Sequence, residues 1–237
     1  MHGRPRDLEI DRAIGEAGRF PELRRTFYKR AMGGTAELLT SRFSTSPSAD
    51  SCDWTMRDSP RSISSDPINP AQSAVDEAGA VFVSLHSHNR VERYDPGTGS
   101  LETFARLSAP VTGLAFGPDG ALWATGGAVG RVPGYVWRIN RGGISEEWVQ
   151  IPDGVFMNGC TPHTDGRTLL VCESVTGRVL AVDQRERRWR VWIADDRLRP
   201  ERTQTPGANG IKLRDGWACV DLRDDLVRFT PRRSSRF

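Results

Sequence analysis

Residues 111–127 read VTGLAFGPDGALWATGG: a short apolar run, a Pro-Asp-Gly turn, and a second apolar run. Two short runs about a tight turn with glycine predict an antiparallel pair of strands. The same plan recurs in AQSAVDEAGAVFVSL at 71–85, NGCTPHTDGRTLLVCES at 158–174 and NGIKLRDGWACVDL at 209–222. The turn glycines are Gly79, Gly120, Gly166 and Gly216, at steps of 41, 46 and 50 residues. After each pair comes a third strand, closed by a polar residue at Asp95, Asn140, Asp183 and Thr230, at steps of 45, 43 and 47.

Recurring short strands at a period near 40 to 50 residues predict β-propeller blades, each a small antiparallel sheet. A blade cannot bury both of its faces alone, so neighbouring blades must stack. Second strands such as AVFVSL and TLLVCE are almost wholly apolar, as sheets covered on both faces require. The tryptophans at 123, 137, 148, 189, 192 and 217 are expected to fill the layers between blades. The span from Ile68 to Phe237 holds just under four such units, and the last has no fourth strand in its PRRSSRF ending. An incomplete propeller with open edges is therefore expected, and open edges favour self-association.

Residues 1–66 read differently. A charged, weakly amphipathic stretch leads into the Ser/Pro/Asp-rich SRFSTSPSADSCDWTMRDSPRSISSDP, which predicts a short helix and then a linker or disordered extension ahead of a propeller region over 67–237. The N-terminus carries charges where a secretion signal needs an apolar core, and no apolar run approaches the length of a membrane span, so a cytoplasmic protein is expected. The 33 basic and 30 acidic residues leave a net charge of +3, too balanced to imply nucleic acid. The four cysteines, Cys52, Cys160, Cys172 and Cys219, have no CxxC spacing and are expected to be reduced and mostly buried.

The third and fourth units, FMNGCTPHTDGRTLLVCESVTGRVLAVD and TPGANGIKLRDG, resemble the SMP-30/gluconolactonase/LRE-like family of six-bladed propellers. The resemblance covers about residues 68–230. It implies an all-β fold of the six-bladed type with about four blades present here. It also implies a lactone hydrolase acting on a small lactone or sugar derivative through a divalent ion, calcium or zinc, at the mouth of the central channel. Oxygen ligands converging from different inner strands suit such a hard cation, which would polarise a lactone carbonyl or acidify a bound water.

Carried onto this chain, the resemblance makes Asn158 a metal ligand and places Asn209 where the family has an aspartate that is ligand and catalytic base. Asparagine keeps the oxygen but cannot accept a proton. Thr112 and Gln72 fall where substrate-binding or ligating residues lie, and Ala71 or Gln72 replaces a glutamate. With no carboxylate among these positions, divalent affinity is expected to be weak. A propeller that binds a small molecule without hydrolysing it, or supports isomerisation or cyclisation, and a protein-interaction propeller are the rival readings.

His86 and His88 share one face if the strand before them continues, but no third ligand accompanies them. His163 is expected to be an exposed loop residue. Glu173 and Ser174 end a central strand and could approach the channel. The basic run QRERRWR at 184–190 is expected to be an exposed hairpin.

Overall fold

The computed structural model describes residues 70–201, 206–222 and 226–230. The extension expected over 1–66, Cys52 and the PRRSSRF segment lie outside the described residues. Four antiparallel sheets account for the rest. Blade 1 is β1 (Pro70–Val75), β2 (Val81–Leu85), β3 (Arg90–Tyr94) and β4 (Leu101–Arg106); blade 2 is β5 (Val111–Phe116), β6 (Leu122–Gly126), β7 (Gly134–Ile139) and β8 (Ser145–Ile151). Blade 3 is β9 (Met157–Pro162), β10 (Thr168–Glu173), β11 (Arg178–Asp183) and β12 (Trp189–Ala194); blade 4 is β13 (Gly210–Arg214), β14 (Trp217–Asp221) and β15 (Leu226–Phe229). Each sheet runs in simple up-and-down order, so a blade is a meander and its first strand is its inner one. The propeller architecture is therefore observed, with three four-stranded blades and one described with three strands.

The turn chemistry is as the sequence predicts. Gly79, Gly120, Gly166 and Gly216 have φ between +65° and +88°, a conformation that glycine adopts without penalty. The residues closing the third strands hold the next hairpin turn: Asp95 Oδ1 accepts from the N–H groups of Gly97 and Thr98, Asn140 Oδ1 from Gly142 and Ile144, and Asp183 Oδ1 from Arg185 and Glu186. These are Asx-type turns, in which a short polar side chain replaces a backbone acceptor.

Strand alternation sends one set of side chains to each neighbouring blade. Phe82, Val91, Leu114, Leu122 and Trp137 fill the layer between blades 1 and 2. Ala115, Trp123, Val136, Leu169, Val171 and Leu180 fill the next. Leu170, Cys172, Val179, Ile211, Ala218 and Val220 fill the third. Trp123 and Trp137 are wholly enclosed, as expected, and Trp148, Trp189 and Trp192 border these layers. Trp217 corrects the expectation: it is 42% exposed, because it points away from blade 3 on the outward face of blade 4.

Cys160 and Cys172 are reduced and buried, and loss of solvation pushes the Cys160 thiol up to about 12 and that of Cys172 higher still. The thiolate is the reactive species, so both should resist a thiol-specific disulfide reagent in the folded protein and react once it is unfolded in urea. Time courses of labelling read by mass spectrometry check this. Labelling of either residue at the rate of a free peptide thiol under native conditions would contradict the packing.

Candidate functional site

The inner strands β1, β5, β9 and β13 surround the axis, and a backbone bond joins β9 to the approach of β13. Gly159 N–H on β9 donates to the carbonyl of Asn209, just ahead of β13, at 2.7 Å. Side-chain donors on the second strands hold each seam. Ser84 Oγ on β2 donates to the Thr112 carbonyl at 2.6 Å, Thr125 Oγ1 on β6 to the Asn158 carbonyl, and Ser174 Oγ after β10 to the Ala208 carbonyl at 2.6 Å. Buried carbonyls need such partners, and here the partner comes from the preceding blade.

The four positions named by the resemblance meet different fates. Gln72 reaches from β1 across the axis: its Oε1 accepts from the Leu114 N–H at 3.4 Å, and its Nε2 would lie 2.7 Å from a Cβ on Gly159. Glycine at 159 thus makes room for the amide. Thr112 is buried, and its hydroxyl faces the carbonyls of Met157 at 2.6 Å and Thr125 at 3.0 Å. Its one proton is committed to the frame.

Asn158 is 6% exposed, and its Nδ2 donates to Ser174 Oγ at 3.1 Å. Because the Ser174 proton goes to Ala208, that oxygen can only accept, which fixes the orientation of the Asn158 amide. Asn209 donates its backbone N–H to the Asp221 carbonyl at 2.8 Å, and its side chain is hydrogen-bonded to the Asp221 carboxyl. Burial raises the Asp221 pKa, and the Asn209 bond opposes the rise.

Asp221 is the axial carboxyl that sequence reasoning missed. Its signal was available: it stands five residues after its turn glycine, as Ser84 and Thr125 do after theirs. Its partnership with Asn209 is a register effect, since Gly210 pairs with Asp221 across β13 and β14.

The histidine pair departs from its expected geometry. His86–His88 form a 3-10 turn closed by Asn89, whose φ is +52° and whose N–H returns to the His86 carbonyl. At about three residues per turn, positions two apart diverge, so the two rings share no face. His86 lies edge-on to Phe156, with ring centroids 6.4 Å apart, at the end of the axis where Asn158 enters. Its Nε2 is buried without a partner among the described residues, and burial lowers its pKa, so the ring is neutral at pH 7.

Neither Glu173 nor Ser174 opens onto the channel. Glu173 is fully buried; its carboxylate accepts from the N–H groups of Val155, Phe156, Val175 and Thr176 and from the Thr176 hydroxyl. His163, expected to be exposed, has a side chain only 15% accessible: it packs near Trp192, and its Nδ1 accepts from the Asp165 N–H at 3.2 Å. The 184–188 segment is a hairpin turn as expected, with Arg187 over the Trp148 ring and paired to Glu146. A surface cleft of about 370 Å³, lined by Asp119, Arg138, Asn140 and Arg141, lies at the opposite end of blade 2.

Among the described residues, no group of three or more His, Cys, Asp or Glu side chains could hold a metal ion. Among the described residues, the side-chain oxygens at the axial mouth are the amides of Gln72, Asn158 and Asn209, the Thr112 hydroxyl and the single Asp221 carboxyl, already bound to Asn209. Calcium takes six to eight oxygens and zinc wants nitrogen or sulfur with a tetrahedral set, and this donor set fits neither.

No family model matches the chain, and no curated protein sequence matches it either. Solved structures do. A structure described as streptogramin B lyase is 17% identical with a TM-score of 0.53, covering 70% of this chain and 52% of its own. The virginiamycin B lyase of Staphylococcus aureus is 14% identical with a TM-score of 0.50, covering 69% and 56%, and a nidogen/laminin complex is 13% identical with a TM-score of 0.51, covering 64% and 55%. The chain thus spans little more than half the length of these structures. Among the described residues, no helix is long and apolar enough to cross a membrane. The fold is that of the β-propellers, the architecture to which the SMP-30/gluconolactonase/LRE-like resemblance pointed.

Proposed function

We propose that this chain binds a small lactone or sugar derivative at the axial mouth, without divalent-metal hydrolysis. The observation that carries the reading is the state of the polar groups there. The Thr112 hydroxyl, one Asn158 amide hydrogen and the Asn209 side chain are bound to the frame, while the buried His86 Nε2 has no partner among the described residues. A buried polar atom in that state calls for a ligand or water. A neutral imidazole nitrogen beside the Phe156 ring suits an uncharged ligand with hydroxyl or carbonyl groups and an apolar ring face.

Metal-dependent lactone hydrolysis is the second reading. It draws support from Asn158 on β9 and Asn209 just ahead of β13, brought together by the Gly159 to Asn209 bond. Against it, neither asparagine can act as a base, and the carboxyl count is one.

Calorimetric titration with glucono-1,5-lactone as probe, run beside pH-stat hydrolysis with calcium and with EDTA, separates the readings. Saturable binding is expected, abolished in His86→Ala, with no EDTA-sensitive turnover. EDTA-sensitive turnover would restore the metal hydrolase. No saturable binding of the probe to the wild type would sink the small-molecule reading.

A further inference from the structure

Blade 2 is packed against a described blade on each side, and its end away from the axial mouth has a chemistry of its own. Two hairpin turns, 117–121 and 140–144, stand side by side there, because β5 to β6 and β7 to β8 close at the same end of an up-and-down sheet. They wall the cleft of about 370 Å³, which is lined by Asp119, Ala121, Arg138, Asn140, Arg141 and Gly142. That volume falls within the range of small-molecule sites.

The charges in the cleft do not cancel. Asp119 has both carboxylate oxygens engaged: Oδ1 accepts from the Ala121 N–H at 3.1 Å and Oδ2 from Arg138 Nη2 at 2.7 Å. Glu146, the register partner of Arg138 across β7 and β8, is paired with Arg187. Arg141 has no carboxylate within ion-pair reach among the described residues, and only its Nη2 meets an acceptor, the Asp119 carbonyl, at a long 3.5 Å. Its guanidinium lies over Gly120, whose φ is +75° and where a Cβ would stand 2.6 Å from Arg141 Nη2. Arg138 holds Asp119 through one nitrogen and keeps hydrogens for a second acceptor. Two guanidiniums with unspent donors around one spent carboxylate suit an oxyanion, which arginine grips by paired N–H bonds.

Ile144 lies two residues beyond Gly142 in the turn that walls the cleft, and at 70% it is the most exposed large apolar side chain among the described residues. Its N–H is held by Asn140 Oδ1 at 3.0 Å, so the side chain is presented from a fixed turn. One exposed isoleucine is ordinary in itself. Next to surplus guanidinium donors it completes a site with a charged half and an apolar half. We propose that this cleft binds a small organic oxyanion, a phosphate monoester or a carboxylate, with its charged head on Arg138 and Arg141 and its apolar body on Ile144. The site lies at the opposite end of the blades from His86, so it is independent of the lactone reading.

Calorimetric titration at low ionic strength with phenyl phosphate, benzoate and inorganic phosphate tests the site. Phenyl phosphate or benzoate should bind saturably, the tighter of the two identifying the head group. Inorganic phosphate should bind about tenfold more weakly than phenyl phosphate, for want of a body to cover Ile144. Arg141→Gln should weaken phenyl phosphate by at least about tenfold, the scale of a lost charge-assisted bond, with the melting temperature unchanged. Ile144→Ser should bring phenyl phosphate to the affinity of inorganic phosphate and leave inorganic phosphate as it was. No saturable binding of either aromatic anion would overturn the proposal. So would binding that survives Arg141→Gln at full strength, which would place the anion elsewhere. His86→Ala keeps the two sites apart: phenyl phosphate binding should be unchanged in it, and its loss there would move the anion to the axial mouth and overturn the assignment to this cleft.

Discussion

Replacing Glu173 by glutamine is expected to lower the unfolding free energy by roughly 3 kcal/mol, the cost of breaking a buried charged network. The carboxylate is wholly enclosed and collects four backbone N–H groups and one hydroxyl. Two of these donors, at Val155 and Phe156, belong to the segment that leads into Asn158, so the residue sets the approach of β9 to the axis. Glutamine presents an amide nitrogen to the Thr176 N–H and hydroxyl, setting donors against donors. Arg178, which bonds the Thr176 hydroxyl at 2.6 Å and Asp153 at 2.7 Å, loses its alignment as well. Urea unfolding followed by tryptophan fluorescence measures the change. A loss below about 1 kcal/mol, the scale of one ordinary hydrogen bond, would show that the carboxylate is not the organiser of this corner.

Trp123→Ala is expected to be the other large effect, about 3–5 kcal/mol from lost contact and the cavity left behind. Trp123 is fully buried between blades 2 and 3 and meets Trp148 edge-on at 5.4 Å. Trp148 in turn donates its Nε1 to the Asp183 carbonyl at 2.8 Å and lies under Arg187 at 4.8 Å. The cavity therefore opens beneath a contact that joins β8 to the hairpin of blade 3. Trp123→Phe separates the aromatic packing from the indole. The Trp123 Nε1 is buried without a partner among the described residues, so phenylalanine removes an unsatisfied N–H along with some volume. Its cost should be about 1 kcal/mol, far below that of alanine. Equal losses for the two variants, read as denaturation midpoints at unchanged slope, would contradict this account.

The repeat was legible because it is written in local chemistry. Gly120 must turn with positive φ, Asn140 must cap its hairpin, and LWAT must alternate between two blade layers, whatever lies farther along the chain. The His86–His88 turn was not legible. An apolar strand running into His-Ser-His reads as a continued strand until Asn89 adopts the left-handed conformation that closes a tighter turn. Trp217 was misplaced for a related reason. Periodicity shows which residues share a face, and here that face has no described neighbour.

The candidate site divides along the same line. Asn158 and Asn209 could be picked out because each precedes a glycine at a recurring position in its unit. What their side chains do could not, since the answer depends on partners distant in sequence: Ser174 for one and Asp221 for the other. Thr112 is the clearest case. The resemblance placed it at a substrate-binding position, yet its proton goes to carbonyls on β6 and next to Asn158.

By itself the sequence determined the architecture of this protein: short antiparallel strands, their turns, the boundaries of four units, and the stacking that their two-sided hydrophobic pattern demands. Tertiary structure decided which polar atoms remain available at the axis, because backbone carbonyls are invisible in residue types and become hydrogen-bond acceptors only where blades meet.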